Sequence, residues 1–275
     1  MANLKLTSSH AEAYERDGYV IVRNFISPEE IQKLQEVAFS DGAMRKHAFD
    51  LNDQTGKKTK LTLWYSPGND VYGLLTKSKR MLDAADLLME GDSSVCHFHS
   101  KLMQKEPKVG GAWEWHQDYG YWYKNEFLFP NQMMSIMIAI TDAYKENGCL
   151  QVIKGTHKMG RIEHGFAGEQ VGASQHYVDL ALKSKELVYV ELKAGDALFF
   201  HPNLLHRSEA NLSDQPRWSL ISVYNRSENV PYNEPSKSST VPLTAVPDEA
   251  LMEWEPGDIS EGANFLEKEH DEALK

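Results

Sequence analysis

One histidine, two acids and six aromatic rings occupy the eleven residues from Trp113 to Tyr123, WEWHQDYGYWY. Within that stretch His116 and Asp118 offer an imidazole and a carboxylate two positions apart. In an extended strand residues i and i+2 project from one face, so both can reach one metal ion while Gln117 points away. Two histidines and one carboxylate on a triangular face, with three adjacent positions open, are the ligand set of non-haem Fe(II) oxygenases. The pair alone is weak evidence, because this histidine and acid content gives about 1.6 such pairs by chance and the chain has three. The other two, His10/Glu12 and His270/Glu272, lie in polar terminal segments without an aromatic shell and read as solvated surface.

A third ligand has to come from the histidines in or near the same region: His97, His99, His157, His164, His176, His201 or His206. The segment HPNLLHRSEANLSDQPRWSLISVYN narrows the choice. It holds His206, then Ser208 on the same strand face, then Arg217 opening the next strand after a turn-rich NLSDQP. A hairpin of that length brings Arg217 beside His206, and a guanidinium fork suits the far carboxylate of a dicarboxylate held on the metal. The arrangement suggests a metal chelated by a 2-oxo acid, with Arg217 and Ser208 as the clamp. His201 falls on the opposite strand face, with Pro202 interrupting, and reads as a supporting or core residue. His97 and His99 alternate correctly for ligation but lack an accompanying acid or arginine, which favours lining the pocket. His157, in GTHK, reads as a turn histidine.

These residues need a rigid frame, and its elements are visible. Ser27-Pro28-Glu29-Glu30 places an N-cap, a proline at the first helical position and a capping-box glutamate ahead of IQKLQEVAF. A shorter helix near Ser9 to Arg16, the strand YVIVRNF, and a helix in KSKRMLDAADLLME with Leu82, Ala85, Leu88 and Met89 on one face complete an α-rich N-terminal third. From residue 94 the pattern changes to short apolar or alternating runs, VCHFHSKLM, MMSIMIAIT, GCLQVI, LVYVEL, DALFF and RWSLISVYN, separated by turn residues. That is the signature of a β-sandwich or barrel. The expected organisation is one domain over residues 1–275: a helical part at 1–93, a double-sheet β core at 94–226, and a wrapping segment with a polar tail at 227–275.

Composition limits the partners. A net charge of −11 and a pI near 5.5 argue against nucleic acid, whose recognition needs a basic face, and the longest basic cluster is only Gly56-Lys57-Lys58-Thr59-Lys60, read as a solvated loop. Cys96 and Cys149 sit in apolar strand-like runs and read as reduced, buried side chains of a cytoplasmic protein. No stretch reaches the roughly eighteen apolar residues of a membrane span, and the N-terminus lacks an apolar signal core. Tyr119, Tyr121 and Tyr123 share one face if the strand continues, as core or as an aromatic wall that guides substrate, including an alkylammonium group. Trp64, Tyr65 and Arg226 are further pocket candidates.

Taken in order, WHQD, NGCLQVIKGTHK, GDALFFHPNLLHRS and PRW, together with the opening YERDGYVIVRNFISPEEI, resemble the phytanoyl-CoA dioxygenase family of Fe(II)/2-oxoglutarate-dependent oxygenases over roughly residues 12 to 226. The resemblance implies a mainly β fold with flanking helices, a double-stranded β-helix (jelly-roll, cupin-like) core. It implies that His116, Asp118 and His206 hold Fe(II), that Arg217 binds the distal carboxylate of 2-oxoglutarate with Ser208 assisting, and that O2 is the second cosubstrate. A residue before the H-x-D motif, Lys101 or Gln104, and an aromatic after it, Trp122, would line the cosubstrate. Asp118 favours hydroxylation, since related halogenating enzymes lack that carboxylate. Two departures stand out: Arg207 replaces a frequent glycine and alternates away from the metal face, where it could alter substrate choice at the mouth, and Lys101 stands where a neutral residue is frequent. The expected substrate is a small polar or zwitterionic metabolite, because no basic patch suits the phosphates of CoA. The alternatives are an acyl-CoA thioester, a non-redox aromatic-cage binding protein, which would not need His206, Ser208 and Arg217 at their spacing, and a metal isomerase, which would not need Arg217.

Overall fold

The computed structural model describes residues 6–40, 46–123, 129–231, 239–255 and 264–266. In chain order the elements are α1 (Ser8–Asp17), β1 (Tyr19–Val22), α2 (Pro28–Ser40), β2 (Phe49–Asn52), β3 (Lys58–Trp64), α3 (Val71–Lys77), α4 (Lys79–Leu88), β4 (Val95–Lys105) and β5 (Trp113–His116). They continue with α5 (Asp118–Trp122), β6 (Met133–Ala139), β7 (Leu150–Ile153), β8 (His164–Ala167), β9 (Gln170–Ala173), α6 (Gln175–Ser184), β10 (Leu187–Val190), β11 (Ala197–Phe200), β12 (His206–Ser208), β13 (Arg217–Arg226) and α7 (Ala250–Glu253).

Local chemistry explains the boundaries. The Ser27 N–H donates to the Glu30 carboxylate at 2.9 Å and the Glu30 N–H to Ser27 Oγ at 3.3 Å, the capping box expected of α2. Glu30 also receives the Arg80 guanidinium, so the same carboxylate ties α2 to α4. Gly18, with φ of 82°, turns the chain out of α1 directly into β1.

Two antiparallel sheets face each other. The larger has the order β1-β11-β6-β13-β4-β3-β2, the smaller β10-β7-β12-β5. This is the double-stranded β-helix, and three apolar layers hold it. Leu61, Met103, Met137, Val152, Leu198, Phe200, Ile221 and Val223 fill the space between the sheets. Helices α2, α3 and α4 cover the outer face of the large sheet through Leu34, Leu75, Met81, Ala85, Leu102, Leu220 and Tyr224. Val178 and Ala181 of α6 pack with Trp115, Ile153 and Leu205 on the outer side of the small sheet. Strand β6, MMSIMIA, is buried at every position because both of its faces are covered.

The N-terminal third is less purely helical than its pattern suggests. Strand β1 joins one edge of the large sheet and the β2–β3 hairpin the other. The run Gly56–Lys60, expected as a loop, forms the hairpin turn and the start of β3; its lysines mask the alternation of KTKLTLW. Helix α3, the β8–β9 hairpin and α6 were also not evident from the sequence. Cys96 and Cys149 are buried free thiols. Residues 239–255 wrap the outer surface through bridges from Pro242 to Cys96 and from Val246 to Ser78, while His270 and Glu272 fall outside the described residues. Among the described residues no helix is long and apolar enough to cross a membrane.

Candidate active site

His116 is the last residue of β5 and His206 the first of β12, and the two lie opposite each other in the small sheet. Asp118 reaches them by a different route from the one expected. The strand stops at His116, Gln117 stays extended, and Asp118 opens α5. Side-chain atoms of His116, Asp118 and His206 nevertheless all lie within 4.8 Å of one another, and all three residues are buried. Asp118 Oδ1 is 3.6 Å from His116 Nε2 and 3.8 Å from His206 Nε2, too far for hydrogen bonds and close enough for one ion to touch all three.

The tautomers follow from the neighbours. His116 Nδ1–H donates to the Glu114 carbonyl at 2.7 Å and His206 Nδ1–H to the Leu204 carbonyl at 2.9 Å. A carbonyl only accepts, so each neutral ring turns an Nε2 lone pair toward Asp118. Ser135 Oγ–H donates to Asp118 Oδ2 at 3.0 Å and fixes the carboxylate plane. Burial pushes His206 down to about 3, with the His116 ring adding to the effect. Burial alone would push Asp118 up, but chiefly the Lys101 charge holds it well below the usual carboxylate range. Two imidazole nitrogens and a carboxylate, all on buried residues, are a donor set that fits a divalent iron. Without a cation the arrangement would bury an anion opposite two lone pairs.

The facing wall belongs to the large sheet and is cationic. Register places His99 opposite Val223, Lys101 opposite Ile221, Met103 opposite Ser219 and Lys105 opposite Arg217, so these side chains share the face that packs between the sheets. Lys101 Nζ lies 5.9 Å from the centre of the Trp113 ring, which is 6.2 Å from the His116 ring. Arg217 is buried, and its Nη1 donates to the Gly148 carbonyl. Its Nε, Ser219 Oγ and His99 Nε2 are buried without a hydrogen-bond partner among the described residues. Burial pushes Arg217 down to about 10. Lys105 Nζ donates to the Gly111, Ser208 and Glu209 carbonyls at 2.7, 3.4 and 2.6 Å, while burial and the neighbouring Arg217 push it well below the ordinary lysine value.

The hairpin expected to bring Arg217 beside His206 does not form. β12 and β13 lie in different sheets, and Arg217 meets the ligand side across the sandwich. Its anchor, Gly148, lies two residues before Leu150, which pairs with Ser208, whereas His206 pairs with Val152. Ser208 therefore lies one strand repeat, roughly 7 Å, along the sheet from the His206 ligand, and the carbonyl that anchors Arg217 lies further along in the same direction.

Other candidates separate by face. Gln104 projects from the opposite side of β4, between Lys60 and Trp218, so the structure does not bring it to the site. Trp64 belongs to the helix-side layer, its ring 5.9 Å from Tyr72. Arg226 also faces outward and donates to Asp86, Met89, Glu90 and Ser93, which anchors the end of α4. Because α5 replaces the continued strand, the tyrosines do not form one wall. Tyr119 is buried, Tyr121 half-buried, and Tyr123 is 51% exposed with the Arg161 guanidinium 4.4 Å above its ring. Trp122 is buried against the rings of Phe98 and His99. Arg207 points outward over Trp115 and bonds Gln151 and Glu209, away from the site mouth where it was expected to act. Tyr65 is half-buried in the segment after β3, and its carbonyl bonds the His97 ring.

The remaining histidines are structural partners. His10 accepts the Thr7 N–H in the cap of α1, His97 bonds the Ser100 hydroxyl as well, and His157 bonds the Glu15 carbonyl. His201 accepts the Asn203 N–H and donates to Asn131, and His176 is exposed on α6. Three residues of the site were missed by the sequence reading: Ser135, Lys105 and the buried side chain of Gln117. The single hydroxyl of MMSIMIAIT was the available signal for Ser135.

The chain matches the phytanoyl-CoA dioxygenase (PhyH) family over residues 14–219. It belongs to that family. L-proline trans-4-hydroxylase of Streptomyces griseoviridis is 26% identical over 234 residues, covering 79% of this chain and 86% of its own. Ectoine dioxygenase of Halomonas elongata is 24% identical over 267 residues, covering 91% and 79%. The solved structure of EctD from S. alaskensis shares the fold with a TM-score of 0.70 at 21% identity, covering 90% of each chain, and the same protein has been solved with bound Fe and with 2-oxoglutarate and 5-hydroxyectoine. This phytanoyl-CoA dioxygenase family member is an Fe(II)/2-oxoglutarate-dependent oxygenase, with O2 as its second cosubstrate.

Proposed function

We propose that His116, Asp118 and His206 hold the Fe(II), that Arg217 with Ser208 receives the distal carboxylate of 2-oxoglutarate, and that the enzyme hydroxylates a C–H bond of a small polar or zwitterionic metabolite. The observation that carries this reading is the buried two-histidine, one-carboxylate cluster facing a buried arginine whose Nε has no partner among the described residues. The iron supplies the redox chemistry that couples decarboxylation of 2-oxoglutarate to succinate with hydroxylation of the substrate.

The chain's own part is to bind, orient and exclude water. Glu114 and Leu204 carbonyls fix the imidazole tautomers, Ser135 fixes the carboxylate, and burial keeps His206 free of a competing proton. Arg217 sits far enough along the sheet for a dicarboxylate to span from it to the ligand cluster. Lys101 supplies a cation on the same inner face, suited to a carboxylate of cosubstrate or substrate, and Trp122 packs edge-on against His99 of that face. In this reading the whole chain forms one oxygenase domain.

Substrate choice rests on charge and kinship. A net charge of −11 disfavours a CoA thioester with its phosphates, and the relatives are named for L-proline and ectoine, both small cyclic zwitterions. The test is succinate formation by the Fe(II)-loaded enzyme across amino acids, cyclic imino acids, ectoine and acyl-CoA thioesters. The expected result is stoichiometric succinate and hydroxylated product with a zwitterion. Turnover with acyl-CoA alone would replace the substrate assignment, and tight ligand binding without 2-oxoglutarate consumption would replace the enzymatic one.

A further inference from the structure

The residue between the two local ligands makes more connections than either. Gln117 is fully buried. Its Nε2 donates to the Gly160 and Asn203 carbonyls, both at 2.8 Å, and its Oε1 accepts the Ile162 N–H at 2.8 Å. Its backbone N–H donates to His164 Nε2 at 3.0 Å, and His164 Nδ1–H donates to the Ile162 carbonyl at 2.8 Å. One residue beyond Asp118, the Tyr119 N–H donates to the Pro202 carbonyl at 3.0 Å. The His164 ring lies against Gly120, where an added Cβ would come within 2.1 Å of it.

These bonds reinforce the β5–β12 ladder, which pairs His116 with His206, and the Tyr119–Pro202 bond, and they add the segment 160–164 to both. Gln117 is one residue from both His116 and Asp118, and Asn203 is three residues before His206 in the loop that also supplies the Leu204 carbonyl to the His206 ring. One amide therefore links the H-x-D turn to the approach of the third ligand, and the segment 160–164 backs both. The need is physical: an ionised carboxylate and two lone pairs converge at 3.6 and 3.8 Å, an arrangement that relaxes apart unless the backbone on each side is pinned.

We infer that Gln117, seated by His164, is a positioning residue that holds the His116, Asp118 and His206 side chains in ligating geometry before the metal arrives. The inference rests on the reading that these three residues hold the metal. It distinguishes Gln117 from a buried residue that serves overall stability alone, because its loss should spread the donors and weaken metal affinity out of proportion to the loss of fold.

The test uses full-length protein and Co(II), whose visible d–d bands report coordination without turnover. Apparent Co(II) affinity and the metal-free melting temperature are measured for wild type, Gln117→Met, Gln117→Glu and Leu34→Ala, the last a core truncation on α2 remote from the site. The expected result is a roughly 10- to 100-fold weaker Co(II) affinity with an altered band for Gln117→Met. Gln117→Glu, which points acceptors at the Gly160 and Asn203 carbonyls, should be weaker still. Leu34→Ala should lower the melting temperature and leave affinity and bands as in wild type. If Gln117→Met does not fold, His164→Asn takes its place, since Asn can bond Ile162 but cannot reach the Gln117 N–H. Affinity and bands unchanged in Gln117→Met, or in His164→Asn where it is used, overturn the inference and leave the ligand assignment standing. Failure of wild type to bind Co(II) overturns the ligand assignment itself and the inference with it.

Discussion

Two buried arginines, Arg217 and Arg226, stand at opposite ends of β13 and face opposite sides of the large sheet, and the protein uses them in opposite ways. Arg226 places all five of its N–H groups on partners around the end of α4. Arg217 donates to Gly148 and keeps its Nε unpartnered among the described residues. Strand β4 repeats the contrast. Outward-facing His97 bonds Tyr65 and Ser100, whereas inward-facing His99 leaves Nε2 without a partner among the described residues. A buried polar group costs free energy until it is satisfied, so the unused capacity of Arg217, Ser219 and His99, which share the inner face of the large sheet, suits a ligand bound between the sheets. Arg226 and His97, on the other face, already have their partners within the protein.

The contrast predicts separable phenotypes. Arg226→Met should cost about 3 kcal/mol or more of stability, because several carbonyls lose a charged donor together. The KM for 2-oxoglutarate of its folded fraction should be that of wild type, as measured by denaturant unfolding alongside steady-state kinetics. Arg217→Met should do the reverse. A rise of roughly 100-fold in the KM for 2-oxoglutarate, about 2.7 kcal/mol, is expected with the melting temperature little changed. If the two variants instead lose stability and cosubstrate affinity in parallel, the division between faces is wrong.

Acid provides the next test. Burial pushes His97 down to about 4 and His201 to about 3. Both are neutral in the folded protein over a range where the unfolded chain, with ordinary histidines near 6.5, takes up protons. Stability is unaffected above that value and falls as the pH drops from 6.5 toward 4, by roughly 1.4 kcal/mol per pH unit per histidine. Denaturant titrations of metal-free protein at pH 7 and pH 5 should show this loss, and His97→Gln should reduce its slope. The smallest effect is expected on the ligand side. Ser135→Ala removes one hydrogen bond to Asp118 Oδ2 and should weaken metal affinity roughly 10-fold with little change in melting temperature.

How much of this was readable varies by residue, for physical reasons. His116, Asp118, His206, Ser208 and Arg217 stand out by type and spacing, and the structure gathers the first three into one cluster. Arg217 still comes to the site by a different route from the expected hairpin, because a strand that leaves one sheet and enters the facing one has the same sequence pattern as a hairpin. Lys101 and Gln104 differ in strand parity, so only one of them can face the site, but parity does not say which side is inside. That depends on which face the helices cover. Trp64 and Arg226 were misplaced for the same reason. The aromatic run after Asp118 could not show that it leaves the strand for a helical turn, since its rings suit both. Gln117 points away from the ligand face, as expected, yet what it points into is formed by segments 43 and 86 residues later.

The central claim is that the buried triad and the facing arginine form one site for a metal-chelated dicarboxylate. Anaerobic addition of Fe(II) and 2-oxoglutarate to the purified protein, followed by visible absorption, tests it directly. A weak charge-transfer band should appear in wild type, vanish in His206→Ala, and in Arg217→Met require much higher 2-oxoglutarate to develop. A wild-type protein that binds Fe(II) yet shows no band with saturating 2-oxoglutarate, or an Arg217→Met titration that superimposes on wild type, would contradict it.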